Sequence, residues 1–492
     1  MKRVLLAALL LLSACTAPAA EPAPPSPTPS AEAPPALGTN GAAVPSLHWT
    51  PCHGTFQCAA AAVPLSYRQP KGATISLSVI RLPASDPGRR LGSLFFNFGG
   101  PGADGVGELT RFAARYPAEL RARFDLVSFD PRGIGGSAPI SCPGADHLPP
   151  AGSPLRQPEA FFAASAATGK ACAASGALLS HLSTANVARD LELLRQAVGD
   201  PALNFYGYSY GTYLGGTYAN LFPDKVRAMT LDGTLDLVAN ATGKPGQEKQ
   251  PVDVRADVAG AQQKELDRFF AACAAAGPKC AFSAGDPKQR FAGVFAHASR
   301  TTGVASLMKT VDSALYQSGR WKRLASTLAA LPSDAGAASP VLDPYVPTHS
   351  PGFLAVQCVD SDNPQSPADY TALAGPESAR QPYFGLSAVF SMAQCVGWPA
   401  RDEDRYTGPW NRPRRNPILV LNNRFDPATP LHNAEATAAE LGDGRVLVVD
   451  GYGHTSLDAP SACASAAVVR YLTELAAPAP GTTCPPDAVP FP

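Results

Sequence analysis

Leu203-Asn204-Phe205-Tyr206-Gly207-Tyr208-Ser209-Tyr210-Gly211-Thr212-Tyr213-Leu214 sets a small glycine-flanked turn between two periodicities. Leu203, Phe205 and Tyr206 read as an incoming strand. Tyr213, Leu214, Tyr218 and Leu221 recur at helical spacing until Pro223 stops the run. A G-x-S-x-G between a strand and a helix is the pattern of a nucleophile elbow, where the serine hydroxyl stands above a sheet and its neighbours must be small. A bare G-x-S-x-G also arises in glycine-rich turns, so the flanking strand and helix carry the reading of Ser209 as a nucleophile.

A nucleophilic serine needs a base and an acid to orient it, in the chain order Ser, acid, His on an α/β-hydrolase sheet. Ile418-Leu419-Val420-Leu421 is a short apolar run suited to a buried parallel strand, and the polar turn after it places Asp426 at the strand's carboxyl end. Val446-Leu447-Val448-Val449 runs through Asp450-Gly451-Tyr452-Gly453 to His454. Of eight histidines, His454 is selected because it follows the acid and sits in a glycine-rich turn after a strand. His432 also follows the acid but reads as the first turn of a helix begun by Thr429-Pro430. Asp232, in Leu231-Asp232-Gly233 at the end of another strand, is the competing acid, and the reading favours Asp426. The tetrahedral oxyanion needs two backbone N–H donors. Tyr210 supplies one, and the loop Phe98-Gly99-Gly100-Pro101-Gly102 after the strand Leu94 to Asn97 supplies the other from Gly100. With His454 as general base, activity is expected to fall on the acid side near a histidine pKa of ~6.5, shifted by its surroundings.

These segments, together with Trp49, Cys52, Cys58, Val63-Pro64, Tyr67, Asp130-Pro131-Arg132-Gly133-Ile134-Gly135-Gly136-Ser137, Asp426-Pro427-Ala428-Thr429-Pro430, Gly453-His454, Cys463 and Cys484, resemble the tripeptidyl aminopeptidase family. These are secreted relatives of proline iminopeptidase with a characteristic C-terminal segment, and the resemblance covers nearly the whole mature chain. It implies an α/β-hydrolase core, a Ser-Asp-His mechanism and release of short peptides from free N-termini. Phe98 stands where proline iminopeptidases carry histidine before Gly-Gly-Pro-Gly, a departure that leaves the oxyanion donor intact but weakens the case for proline specificity.

A binding site for a free α-ammonium calls for carboxylates in a partly desolvated pocket, and Asp360, Asp362 and Asp104 are the candidates. A carboxylesterase would use the same triad without such carboxylates. A catalytically dead hydrolase fold serving as a surface binding protein is the third reading, and the Ser, Asp, His order with both oxyanion donors argues against it.

The 492-residue chain, 45% hydrophobic and of zero formal net charge, can bury a substantial core and shows no basic tract that would point to a nucleic-acid partner. Phosphate-loop, H-E-x-x-H and C-x-x-C patterns are absent from the sequence, so no cofactor and no metal are implied. Met1-Lys2-Arg3 and the apolar run to Leu12 have the parts of an export signal and are too short for a stable membrane span. Leu12-Ser13-Ala14-Cys15 resembles a bacterial lipobox, which implies a signal over 1–15, a lipid on Cys15 and attachment to a membrane surface. The alternative is ordinary secretion with cleavage after Ala17-Pro18-Ala19. Residues 16–46, rich in Pro, Ala and Ser, read as an extended tether.

Eleven cysteines in an exported chain favour disulfides. Proximity along the chain suggests Cys52 with Cys58, Cys142 with Cys172, Cys273 with Cys280, Cys358 with Cys395 and Cys463 with Cys484, although sequence alone does not fix connectivity. The expected architecture is a mostly parallel sheet flanked by helices. Its core runs over 47–235 and, in the TAP-like C-terminal part, over 411–492, with a mainly helical cap over 236–410 inserted after the sixth core strand. Ile75, Leu77 and Val79 alternate as an edge strand, and Val187, Leu191, Leu194 and Val198 mark the core face of a helix ended by Gly199.

Overall fold

Ten segments form strands, the inner ones rich in aromatic and aliphatic residues: β1 (Thr50–Cys52), β2 (Phe56–Pro64), β3 (Thr74–Leu82), β4 (Gly92–Asn97), β5 (Phe124–Phe129), β6 (Leu203–Tyr208), β7 (Val226–Asp232), β8 (Leu419–Phe425), β9 (Arg445–Tyr452) and β10 (Thr483–Cys484). They make one sheet in the order β1-β2-β3-β5-β4-β6-β7-β8-β9-β10. The computed structural model describes residues 38–145, 153–301, 303–334 and 344–492. The expected export signal, Cys15 and the tether up to residue 37 lie outside them.

Pairing is antiparallel from β1 to β5 and parallel from β5 to β10. The central strands β4, β5 and β6 are buried along their whole length, which is why they read as continuous apolar runs rather than alternating ones. The β3 segment is not the edge strand that its alternation suggested: β2 pairs along one side of it, with β1 beyond, and β5 along the other. Tyr208 pairs with Asp232 and Asp232 with Leu421, so β6 and β7 end level with each other while β8 runs on to Phe425, all at the carboxyl edge of the sheet where ligands bind in open α/β folds.

Helices Thr184–Ala197 and Tyr210–Leu221 cover one face of the sheet with Leu191, Leu194, Tyr213, Leu214 and Tyr218. On the other face, Phe112, Leu120, Val468, Tyr471 and Leu472 close over Leu94, Phe96, Leu126 and Leu447. Each fully buried leucine or phenylalanine of this kind contributes roughly 1.5–3 kcal/mol. Arg132, from the Asp130-Pro131-Arg132-Gly133 segment, lies wholly inside. It donates through Nε and Nη2 to both oxygens of Asp190 at 2.7 Å and to the carbonyls of Pro64, Leu65 and His181, and Tyr67 donates to the same aspartate. That segment and Tyr67 are therefore framework.

Between β7 and β8, and so after the seventh strand rather than the expected sixth because the short β1 adds to the sheet, the described residues form helices and turns without a strand, and their core is Phe269, Phe291, Trp321, Leu324 and Phe390. Helix Pro158–Cys172, which the sequence boundaries placed in the catalytic core, sends Phe161 and Phe162 into this cap cluster. The cap is thus built from two segments, one on each side of the nucleophile in sequence. Residues 38–46, expected to be tether, are held down: Asn40 donates to the Tyr67 carbonyl, Arg189 to that of Gly38, and Ala42 packs on the core. The five cysteine pairs suggested by proximity are bonded in the structure. No helix among the described residues is long and apolar enough to cross a membrane.

Candidate active site

Ser209 sits between β6 and helix Tyr210–Leu221 with φ 55° and ψ −124°, a left-handed conformation that a non-glycine residue adopts only under local constraint. The flanking glycines are dictated by contact. A Cβ on Gly207 would stand 2.3 Å from the Gly211 carbonyl oxygen, and one on Gly211 would stand 2.5 Å from that of Asn97. The Ser209 N–H donates to the Asp232 carbonyl at 2.9 Å, which pins the turn to the next strand.

Asp426, at the carboxyl end of β8, is 1% exposed and accepts from Ala428 N–H at 2.9 Å and Thr429 N–H at 2.8 Å. These two backbone donors fix the carboxylate, and His454 Nδ1 lies 2.9 Å from each of its oxygens. Nδ1 is thereby committed to the acid, leaving Nε2 for proton exchange. Thr429 Oγ1 stands 3.4 Å from the same ring nitrogen. Burial alone would lower the imidazole pKa, but the Asp426 charge and hydrogen bond outweigh it, and the net result is a pKa above the usual histidine value. The ring packs edge-on against Tyr316 of the cap, whose carbonyl accepts the His454 N–H at 2.9 Å. Gly453 is required there, because a Cβ would fall 2.8 Å from that carbonyl.

Asp232, the competing acid, is turned elsewhere. It accepts from Tyr206 Oη at 3.0 Å, from Ser456 N–H and from the Ser456 hydroxyl, and burial pushes its carboxyl up to about 6. It ties β7 to the segment after His454. On the oxyanion side, Gly99 approaches the elbow so closely that a Cβ would meet Tyr208 O at 2.5 Å and Tyr210 N at 3.1 Å. Gly99 N–H is occupied by Asn97 Oδ1, whereas Gly100 N–H has no partner among the described residues. Tyr210 N–H opens a helix, where no preceding carbonyl is available.

A cavity of about 200 Å³ opens beside these groups, with Gly100, Ser209 and Tyr210 at one end and cap residues beyond. Its wall is apolar over Pro101, Leu235, Val252, Phe353 and Met392, and carries the carboxylates of Asp236, Asp253 and Asp312 but no lysine or arginine among its described lining residues. His349, also on the wall and stacked on Phe353, is driven by burial down to about 4 and is neutral near pH 7.

None of the three carboxylates expected to bind an ammonium lines this cavity. Asp360 is 1% exposed and accepts from Thr184 N–H at 3.0 Å and Thr184 Oγ1 at 2.5 Å, with burial raising its carboxyl to about 7. Thr184 Oγ1 in turn bonds Tyr210 Oη, so Asp360 joins cap, flanking helix and elbow. Asp362 pairs with Arg405 at 2.7 Å, and Asp104 caps helix Gly105–Phe112 through Gly107 N–H at 2.5 Å. Sequence reasoning passed over Asp253, Asp312, Tyr316 and Thr429. Of these only Thr429 stood in a motif; the others lie in cap segments whose composition gives no sign of which side faces the sheet.

The mostly parallel sheet with a strained serine at its elbow defines a serine hydrolase of the α/β-hydrolase class. A family model described as TAP-like protein matches residues 381–484. The chain is 29% identical to tripeptidyl aminopeptidase of Streptomyces coelicolor over 93% of its own length and 89% of that protein. It is 29% identical to serine protease Hip1 of Mycobacterium tuberculosis over 89% and 91% of the two chains, and 30% identical to carboxylesterase B of the same species over 92% and 93%. The chain belongs to the tripeptidyl aminopeptidase family of α/β-hydrolases.

Proposed function

We propose that the protein is an exported aminopeptidase that releases short peptides, tripeptides among them, from free N-termini through an acyl-enzyme. Ser209 attacks the carbonyl carbon as His454 takes its proton, Asp426 holds the ring and balances the imidazolium charge, and the Gly100 and Tyr210 N–H groups receive the oxyanion. His454 then protonates the leaving amine, and water activated by the same ring releases the acyl group. The observation that carries the aminopeptidase reading is the cavity wall, with three carboxylates and no lysine or arginine among its described residues, beside Ser209. The carboxylates of such a wall suit a cationic chain end. Export with lipid attachment at Cys15 to a membrane surface belongs to the same proposal and rests on the lipobox alone. Ordinary secretion is its alternative.

Carboxylesterase activity is the second reading, favoured by the apolar half of the cavity and by the relative named carboxylesterase B. A non-catalytic surface binding role leaves the strained serine conformation unexplained. Hydrolysis of a free tripeptide anilide, its N-acetylated form and a short-chain nitrophenyl ester, with Ser209→Ala as control, separates these readings. Cleavage of the free tripeptide in preference to the acetylated one is expected. Ester cleavage alone, lost in Ser209→Ala, would leave an esterase.

A further inference from the structure

We infer that Asp253 and Asp312 together form the receptor for the substrate's α-ammonium, an assignment that rests on the aminopeptidase reading and gives it residues. Both stand on the wall of the cavity that holds Ser209, Asp253 on helix Val252–Arg255 and Asp312 on helix Val304–Leu315.

The third carboxylate of the wall is already neutralised: Asp236 caps the helix after it and pairs with Lys244 at 3.1 Å. Asp253 and Asp312 have no ion-pair partner among the described residues. Each is held by one neutral donor, Asp253 Oδ2 by the Ser391 hydroxyl at 2.5 Å and Asp312 Oδ1 by Gln262 Nε2 at 2.6 Å. The second oxygen of each carboxylate has no hydrogen-bond partner among the described residues. Arg255 is near enough to favour the Asp253 charge, but its guanidinium donates to the carbonyls of Ala239, Asn240, Gln250 and Asp362.

Two partly desolvated acids with a free oxygen each and no cation are costly unless a ligand supplies the charge. A primary ammonium does so and brings three N–H donors, one for each free oxygen and one to spare. The wall also carries Asn240, 2% exposed, whose Nδ2 has no hydrogen-bond partner among the described residues. The chain's amino end is then held on the cap while its scissile carbonyl lies at Ser209. Gln262 and Ser391 are positioning residues that fix the two carboxylates.

The test uses the intact enzyme and the variants Asp312→Asn and Asp253→Asn, assayed on four substrates. These are a free tripeptide anilide, its N-acetylated form, an acetylated peptide anilide with lysine as its first residue, and a nitrophenyl ester whose hydrolysis reports folding and the triad. Each variant is expected to lose about 10²-fold in kcat/KM on the free tripeptide, mainly through KM, as for loss of one partner of a buried charged pair. Ester hydrolysis should hold, so that the preference for free over acetylated peptide collapses. Wild-type discrimination that both variants retain would overturn the receptor while leaving the aminopeptidase reading standing. Wild-type cleavage of free and acetylated peptide alike would sink both. Efficient wild-type cleavage of the acetylated lysine peptide, lost in the variants, would reassign the pair to a side-chain ammonium and overturn the α-ammonium claim.

Discussion

Gly207 and Gly211 leave no space for a methyl group, because the clashing atoms are backbone oxygens rather than movable side chains. Gly211→Ala should therefore abolish hydrolysis of any ester or anilide and lower the melting temperature, whereas Ser209→Ala should abolish activity with the fold intact. At His454 the raised pKa has a definite sign. The base must be neutral, so the acid limb of kcat/KM should lie above the ~6.5 of an unperturbed imidazole, which gives the expected shift its direction. A titration of kcat/KM from pH 5 to 9 checks this, and an acid limb centred below 6 would contradict the His454–Asp426 pairing. The glycines, Ser209, Asp426 and His454 were legible in the sequence because each sits at a strand end where backbone geometry restricts residue type. The carboxylates proposed to receive the ammonium were not, because proximity in sequence to the oxyanion loop or to a cysteine says nothing about which aspartate is consumed by a cap or an ion pair.

At the scale of elements, two buried charges behave oppositely. Arg132 satisfies Asp190 twice and three carbonyls besides, so Arg132→Met should cost about 3–5 kcal/mol by leaving a buried carboxylate unpaired. Denaturant unfolding would measure the loss. Glu265, on cap helix Val258–Ala276, is fully buried, and burial followed by the Asp426 charge push its carboxyl well above the usual range. A carboxyl whose pKa is raised in the folded state loses stability for the protein as pH rises through the unfolded value of about 4.3. Glu265→Gln should accordingly raise the melting temperature at pH 7.5 and have little effect at pH 4. The strands and helices that frame the elbow followed from periodicity, but β3 was misplaced: its alternation marks one face as less buried, which an interior strand near the sheet's antiparallel end shares with an edge strand.

For the whole molecule, the mostly parallel sheet and the helical cap could be anticipated, but the cap's dependence on helix Pro158–Cys172 could not, since Phe161 and Phe162 are apolar in a way that suits either core. Disulfides fasten this arrangement. Cys358–Cys395 closes 37 residues within the cap and Cys52–Cys58 only 6, so removing the first should cost about 4 kcal/mol and the second about 2 kcal/mol on chain-entropy grounds. Paired serine variants compared by thermal melting would show that order.

The central claim is that Ser209 is an activated nucleophile. Mass spectrometry of the protein after brief exposure to a fluorophosphonate measures this most directly. One adduct on the peptide containing Ser209, absent in Ser209→Ala and formed far more slowly in His454→Ala, is the expected result. An unlabelled protein, or an adduct on another serine with Ser209 untouched, would contradict it.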